Sequence, residues 1–306
     1  MKCYIKNNDD EDFREIDTPE EGCWIHIDEA TPSDLNEIAK LTENEYTDLH
    51  DCLDKHELPR VERLDEKNVL IFTRHPTNQE MGLYTTTLGI LLTPKYFITI
   101  CPQKSHLVKN LLSQKTRLFT TQKSKFLLYI LLKVTQEFTL QIKKIRANVL
   151  KKEKELSRVE SEDITALTIN EENLSQYLSS LVPLRNVFES ITSGRYTLLY
   201  EKDQDLLEDL LNASIQSEDL CTINLRTIRG LRDSFQIIFT NQLNKTIKLL
   251  TSLTIILSIP TMVSSLYGMN VALPFEKNPF AFSGIMLFTV LCSFVALILF
   301  QRKKWL

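Results

Sequence analysis

From Leu249 to Phe275 the chain carries no Asp, Glu, Lys or Arg, and a second uncharged run extends from Asn278 to Phe300. A helix that crosses a bilayer needs ~20 mostly apolar residues, so each run can span once. Two spans separated only by Glu276-Lys277 leave one arrangement, a membrane hairpin. Nothing before Leu249 is long and apolar enough for a third span, which excludes a many-helix carrier. The mean hydropathy of −0.14 resembles that of a soluble protein only because it averages a charged body with this hairpin.

The body excludes further classes. The chain has 7 glycines, and neither GxGxxG nor GxxxxGK[ST] occurs, so a nucleotide site and an ATP-driven pump are not expected. Six scattered cysteines without a CxxC pair fit reduced thiols. Met1 to Asp12 has acids and no apolar core, unlike a signal peptide. Charge is segregated: residues 1–66 carry 7 basic and 21 acidic groups, residues 67–158 carry 17 and 4, and residues 246–306 carry 5 and 1. The basic middle is an amphipathic helical stretch without interleaved aromatics, so a solvated face is expected there and no nucleic-acid partner.

Strand-like runs at Lys2–Lys6, Cys23–Ile27, Lys67–Arg74, Leu83–Leu92 and Tyr96–Cys101 alternate with helical patterns opening at Thr31-Pro32-Ser33 and covering Glu45–His56. Long helices follow at about Thr121–Arg158 and Glu171–Ile191, then a turn at Thr192-Ser193-Gly194. Beyond Asp203 apolar residues Leu225, Ile228, Leu231, Phe235 and Ile238 recur every three or four positions, and no break intervenes before Pro260. The soluble helix therefore runs into the first span, ~90 Å at 1.5 Å per residue, and a stalk of that length implies neighbouring copies. The expected class is an α+β membrane protein. Its segments are an α/β domain (1–120), a helical region completing it (121–202), a stalk (203–248), a first span (249–270), an outer loop (271–279), a second span (280–300) and a basic tail (301–306).

Lys245 and Lys248 before the first span, and Arg302, Lys303 and Lys304 after the second, place both termini and the body in the cytoplasm. Within the first span Thr251, Thr254, Ser258, Thr261 and Ser265 are spaced three or four apart and share one face, which Asn244 and Ile247 extend toward the stalk. Such a stripe needs either water or a partner helix. It holds no carboxylate, so it suits a cation that keeps its water, as Mg²⁺ does, and offers no proton relay. At its end stand Tyr267-Gly268-Met269-Asn270. Two readings stay open: a helix cap with Gly in the left-handed region, or a pore mouth where Asn oxygens hold a hydration shell. His50, Asp51, Asp54 and His56 could be metal ligands, with His50 and Asp54 sharing a helix face, but a solvated helix is the default. No Ser/His/Asp or Cys/His order suggests an enzyme.

This combination resembles the CorA family of magnesium transporters, which end in a two-helix hairpin whose first span closes on Tyr-Gly-Met-Asn. Further similar pieces are Trp24-Ile25-His26-Ile27-Asp28 with Pro32, Leu58-Pro59-Arg60-Val61-Glu62, Leu88-Gly89-Ile90 and the ending Lys303-Lys304-Trp305-Leu306. The resemblance implies a homopentameric channel in the plasma membrane with a cytoplasmic α/β/α domain. It implies a selectivity filter at Gly268, Met269 and Asn270, and a gate along Asn244, Ile247, Leu250, Ser258 and Thr261. Ser258 stands where relatives often carry a bulky apolar residue, which moves the expected hydrophobic gate to Leu250 and Ile247. Regulatory Mg²⁺ bound between subunits would use Asp209, its N-terminal partner being undetermined among the 21 acids. Lys248, Lys303 and Lys304 would form a basic collar, or simply anchor the topology. The alternatives are a Zn²⁺, Co²⁺ or Ni²⁺ transporter of the same superfamily, whose zinc branch tends to carry Ile at the position of Met269, and a membrane-anchored coiled-coil scaffold without a pore.

Overall fold

A computed structural model describes residues 1–7, 10–80, 83–113, 118–153, 159–196, 203–271 and 279–306. The chain divides into two units, one of Met1–Leu156 with Thr165–Leu231, the other of Ser157–Ile164 with Arg232–Leu306.

The first unit is built on a mixed sheet. Its strands are β1 (Lys2–Ile5), β2 (Arg14–Ile16), β3 (Trp24–Ile27), β4 (Arg60–Arg63), β5 (Val69–Glu80), β6 (Leu83–Leu92) and β7 (Phe97–Ile100). Their spatial order is β2-β1-β3-β7-β6-β5-β4, and β3 with β7 is the parallel pair, with Trp24 opposite Phe97 and Ile27 opposite Ile100. Successive side chains of β3 point to opposite faces, which fixes the layers. Cys23, Ile25 and Ile27 enter a core with Leu35, Ile38 and Leu49 from the helices α1 (Pro32–Thr42) and α2 (Tyr46–Leu49). Trp24 faces the other way, where Phe126 of α4 (Lys123–Glu153) meets Trp24 at 5.2 Å and Phe97 at 4.8 Å, both edge-on. The expected α+β class with a helix-covered sheet is what forms.

Local chemistry sets the element ends. Thr31 and Asp34 make a reciprocal capping box, Pro32 opens the helix, and Glu43 closes it in the left-handed region at φ 59°. β2 and β4 escape a pattern-based reading because they are short edge strands with exposed polar residues. The single helix expected over Glu45–His56 is instead α2 followed by a 3-10 turn, His50–Leu53. Asp54 lies beyond that turn in extended backbone, so His50 and Asp54 share no helix face. Asp51 is taken by Arg60 Nη2 at 2.8 Å, and the four do not form a metal site.

Three further helices complete this unit: α3 (His106–Ser113), α5 (Ser161–Thr192) from Thr165 on, and the first part of α6 (Gln204–Tyr267). α5 begins ten residues before the position its pattern suggests and continues through Pro183. Phe138 of α4 meets Tyr177 of α5 at 5.4 Å, Thr139 of α4 meets Ser217 of α6 at 2.6 Å, and the Cys221 thiol of α6 donates to the Leu174 carbonyl.

One buried group in this unit makes stability depend on pH. His75 is 1% exposed; its Nδ1 lies 2.9 Å from the Pro76 carbonyl and its Nε2 3.4 Å from the Ser105 hydroxyl. A carbonyl only accepts, so Nδ1 carries a proton. Burial pushes its pKa down to about 4. The unfolded chain, with a His pKa of ~6.5, then binds the extra proton first as pH falls, so stability declines between pH ~6.5 and ~4 and levels off below, by about 3 kcal/mol in all. Urea midpoints measured across that range are expected to fall with acid in the wild type and to fall less in His75→Gln.

Candidate functional site

The second unit contains the last part of α6 and α7 (Ala281–Arg302), and both helices are long and apolar enough to cross a membrane. Only 6% of each apolar window is buried within the chain, so their apolar faces are left for lipid or another chain. Along the first span the shielded positions are Ser252, Ile256, Ile259 and Val263, at helical steps of four, three and four. A matching shielded row on α7 runs through Ile285, Thr289, Ser293 and Ala296. Each of the two helices thus has one shielded seam. Ser252 is 0% exposed and Thr289 6%, and each hydroxyl donates to its own helix, to Lys248 O and Ile285 O.

Thr251, Thr254, Ser258, Thr261 and Ser265 are all exposed. At 100° per residue their mean direction lies about 150° from that seam. The polar stripe is therefore not the shielded side of the helix; the hydroxyls on the shielded rows are Ser252 and Thr289. Ile256 and Val263 lie on the seam, whereas Leu253 and Leu257 are exposed at 44% and 69%. Asn244, Ile247 and Leu250 are exposed as well, and Ile247 and Leu250 continue the stripe with apolar side chains.

The stripe's hydrogen bonds fix its polarity. Thr254 donates to Leu250 O at 2.9 Å, Ser258 to Ile255 O at 2.8 Å and Thr261 to Leu257 O at 3.0 Å. Each hydroxyl hydrogen is thus spent on the backbone, and the oxygen lone pairs are what the face presents. Acceptors of that kind meet the outward-pointing hydrogens of water bound to a cation.

α6 is continuous through Pro260 and ends at Tyr267. Gly268 N–H donates to Ser264 O at 2.9 Å, and Met269 N–H to Leu266 O at 3.4 Å. Gly268 is not in the left-handed region, which removes the conformational reason for a glycine there. Its reason is space, since a Cβ would stand 3.3 Å from Ser264 O and 3.7 Å from Ser265 O. Met269 and Asn270 follow directly and are exposed. Residues 272 to 278 of the expected outer loop, including Glu276, lie outside the described residues.

At the other end of the hairpin, Lys248 is exposed on α6, while Lys303 and Lys304 follow α7, with Lys304 left-handed at φ 56°. Trp305 folds back to stack on Phe300 at 5.6 Å and 19°, so the tail is held against its own helix.

Asp209 lies in the first unit, exposed on α6, beside a hollow of about 730 Å³ that Gln136, Asn212, Gln216 and Asp219 also line. Asp219 was not singled out by sequence reasoning, although it stands about three turns further along the same helix. No group of three or more His, Cys, Asp or Glu capable of holding a metal occurs among the described residues. Asp209 therefore gathers no ligand set from its own chain.

Three kinds of comparison place this architecture among known proteins. A family model described as CorA-like Mg²⁺ transporter protein matches residues 19–303. A cobalt/magnesium transport protein CorA of Methanocaldococcus jannaschii is 26% identical over 97% of this chain and 93% of its own length. One of Thermotoga maritima is 21% identical over 96% of this chain and 85% of its own. Among solved structures, the complete CorA magnesium transporter from M. jannaschii superposes with a TM-score of 0.74 at 23% identity, covering 100% of this chain and 98% of that one. Full-length CmaX gives a TM-score of 0.69 at 19% identity over 97% of both chains, and at that identity it supports the fold alone. A family match that leaves out only the first 18 residues and the last three, on a fold that ends in two membrane-length helices, identifies this chain as a member of the CorA-like Mg²⁺ transporter family of membrane transporters.

Proposed function

We propose that the protein is a homopentameric Mg²⁺ channel of the plasma membrane, with both termini in the cytoplasm. The cation moves inward, still hydrated, down its electrochemical gradient. The observation that carries this reading is the stripe of Thr251, Thr254, Ser258, Thr261 and Ser265, which is exposed on the side away from the shielded seam and on which Thr254, Ser258 and Thr261 present acceptor oxygens. Five such stripes around an axis would line a water-filled path, with Gly268, Met269 and Asn270 as the filter at its outer mouth. Leu250 and Ile247, 65% and 51% exposed and apolar, would close the inner part by excluding water. A −100 mV interior supplies about 4.6 kcal/mol for a divalent ion, so no ATP is needed. Since two relatives are named cobalt/magnesium transport proteins, Co²⁺ is a second ion to test.

Regulation would follow from charge. Residues 1–66 carry 7 basic and 21 acidic groups, so five copies repel unless cations screen them. Mg²⁺ shared between Asp209 of one subunit and carboxylates of the next would hold the closed form. Lys248, Lys303 and Lys304 form the basic collar at the inner end.

Single cysteines in a Cys292→Ala background test the pore directly. At Thr254 and Ser258 they are expected to react with a membrane-impermeant thiosulfonate, and Mg²⁺ flux into liposomes should then drop. A cysteine at Ile256, on the seam, should stay protected. Equal labelling of both faces, or no flux from the wild type, would favour a scaffold without a pore.

A further inference from the structure

The parallel pair β3 and β7 creates a place that the transport reading does not use. The chain leaving β3 turns to α1 on one face of the sheet, and the chain leaving β7 turns to α3 and α4, of which α4 covers the other. Ala30 N–H donates to Cys101 O at 2.9 Å and Cys101 N–H to Ile27 O at 2.9 Å, which ties the two exits together. In open α/β sheets the crevice beyond the carboxyl ends of strands that diverge this way is where ligands bind, because loops rather than strands surround it. Here that crevice is a hollow of about 510 Å³, within the ~300–1,000 Å³ usual for small-molecule sites.

Its walls combine positive charge with fixed polar groups. Lys2 and Tyr4 come from β1, His26 and Asp28 from the end of β3, and Lys104, Ser105, His106 and Lys109 from the segment after β7. The acid among them is already engaged. Asp28 accepts the Ser105 N–H at 2.7 Å and lies 3.7 Å from His26 Nε2. Burial alone would raise its carboxyl, but the nearby His26 side chain, the Ser105 N–H and the charge of Lys104 outweigh that and hold it below the usual carboxylate range. Asp28 thus acts as a brace for the loop, not as a cation ligand. His26 is 5% exposed and its Nδ1 is fixed by Thr99 Oγ1 at 2.9 Å, the same oxygen that accepts Trp24 Nε1 at 2.8 Å. Lys2 is paired with Glu15 at 3.2 Å, but neither Lys104 nor Lys109 has a carboxylate within ion-pair distance among the described residues. α3, which begins at this hollow, has no acidic residue in its first turn, so its N-terminal dipole adds to the positive field.

We propose that this hollow is a binding site for a small organic phosphate, held by Lys104 and Lys109 over the rigid His26–Asp28–Ser105 floor. A phosphate dianion matches two lysines that form no ion pair among the described residues, since Asp28, the acid in the hollow, is engaged by Ser105 and His26. The volume leaves room for a sugar or nucleoside beside it. A lysine-built site of this kind requires none of the glycine loops that the sequence lacks. The Trp24–Thr99–His26 relay gives the site a built-in reporter.

Full-length protein in neutral-lipid nanodiscs, carrying Trp305→Phe so that Trp24 is the only tryptophan, would be titrated with AMP, ATP and inorganic phosphate in the presence of EDTA. A saturable change in Trp24 fluorescence is expected with the organic phosphates. Their affinity should fall about tenfold in Lys104→Ala and in Lys109→Ala, the loss of one hydrogen bond to a charged group. Lys151→Ala, remote on α4, should bind like the wild type. Asn270→Ala should also bind normally, so a failed channel reading would leave this result standing. No saturable signal up to about 10 mM, or lysine variants that bind as the wild type does, would overturn the site. Equal affinity for inorganic phosphate would overturn the assignment to an organic one.

Discussion

Reconstituted Asn270→Ala protein is expected to pass Mg²⁺ at less than about a hundredth of the wild-type rate, read as dye-reported flux into liposomes at matched protein content. Asn270 stands exposed just past the end of α6, two residues after a glycine whose Cβ would crowd Ser264 O. Its amide oxygen is the strongest neutral acceptor the side chains of this tripeptide offer to water around an ion. Losing one hydrogen bond to a charged partner costs about 1.5 kcal/mol, roughly tenfold, and in a symmetric mouth several copies are lost at once. The same substitution should leave thermal unfolding where it was, since the side chain is exposed. Met269→Ala should be milder, because it removes apolar area and no acceptor. Wild-type flux from Asn270→Ala would remove the tripeptide from the filter role and shift attention to the hydroxyl stripe.

The second large effect concerns the sheet. Gly89→Ala is expected to destabilise the first unit by about 2–3 kcal/mol, the usual penalty for forcing atoms into a packed core. Gly89 sits mid-strand in β6, opposite Phe72 of β5 and Ile100 of β7. A Cβ there would stand 2.6 Å from Cys52 Sγ, closer than real contacts allow. Cys52 is 0% exposed among Leu49, Phe72 and Leu91, and burial pushes its thiol up to about 12, so it serves as packing and stays protonated. Removing the sulfur should relieve the clash. The double variant Gly89→Ala/Cys52→Ala is therefore expected to be more stable than Gly89→Ala alone, a coupling that only neighbours show. Urea unfolding followed by Trp24 fluorescence measures it, and a Gly89→Ala midpoint equal to the wild type would contradict the close approach.

Much of this was readable from residue order. Apolar runs without charge mark the two membrane helices, because a bilayer tolerates few alternatives. Leu83–Leu92 is read to the residue as a strand, since its run is long, β-branched and bounded by Gly82 and Pro94. α1 is legible from Thr31-Pro32-Ser33, which opens it. β2 and β4 were not, because edge strands with polar sides lack the alternation that burial imposes. The separation of His50 from Asp54 was not either; a helical spacing holds only while the helix lasts, and here it ends in a 3-10 turn.

For the candidate site the division is similar. The spacing of Thr251, Thr254, Ser258, Thr261 and Ser265 by itself determined that they share a face, because an α-helix has one period. It could not determine what that face meets, since hydroxyls suit a packed helix as well as water. Tertiary structure decided which side the chain itself covers: Ser252, Ile256, Ile259 and Val263 are the shielded row, and the stripe points elsewhere, with the Thr254, Ser258 and Thr261 hydrogens committed to the backbone. Likewise Gly268 was marked as necessary by its motif, but only the fold shows that the need is room beside Ser264 O and not a left-handed turn. Periodicity is a property of one segment and can be read along it; exposure and close approach belong to pairs of segments, and they exist only once the chain has folded.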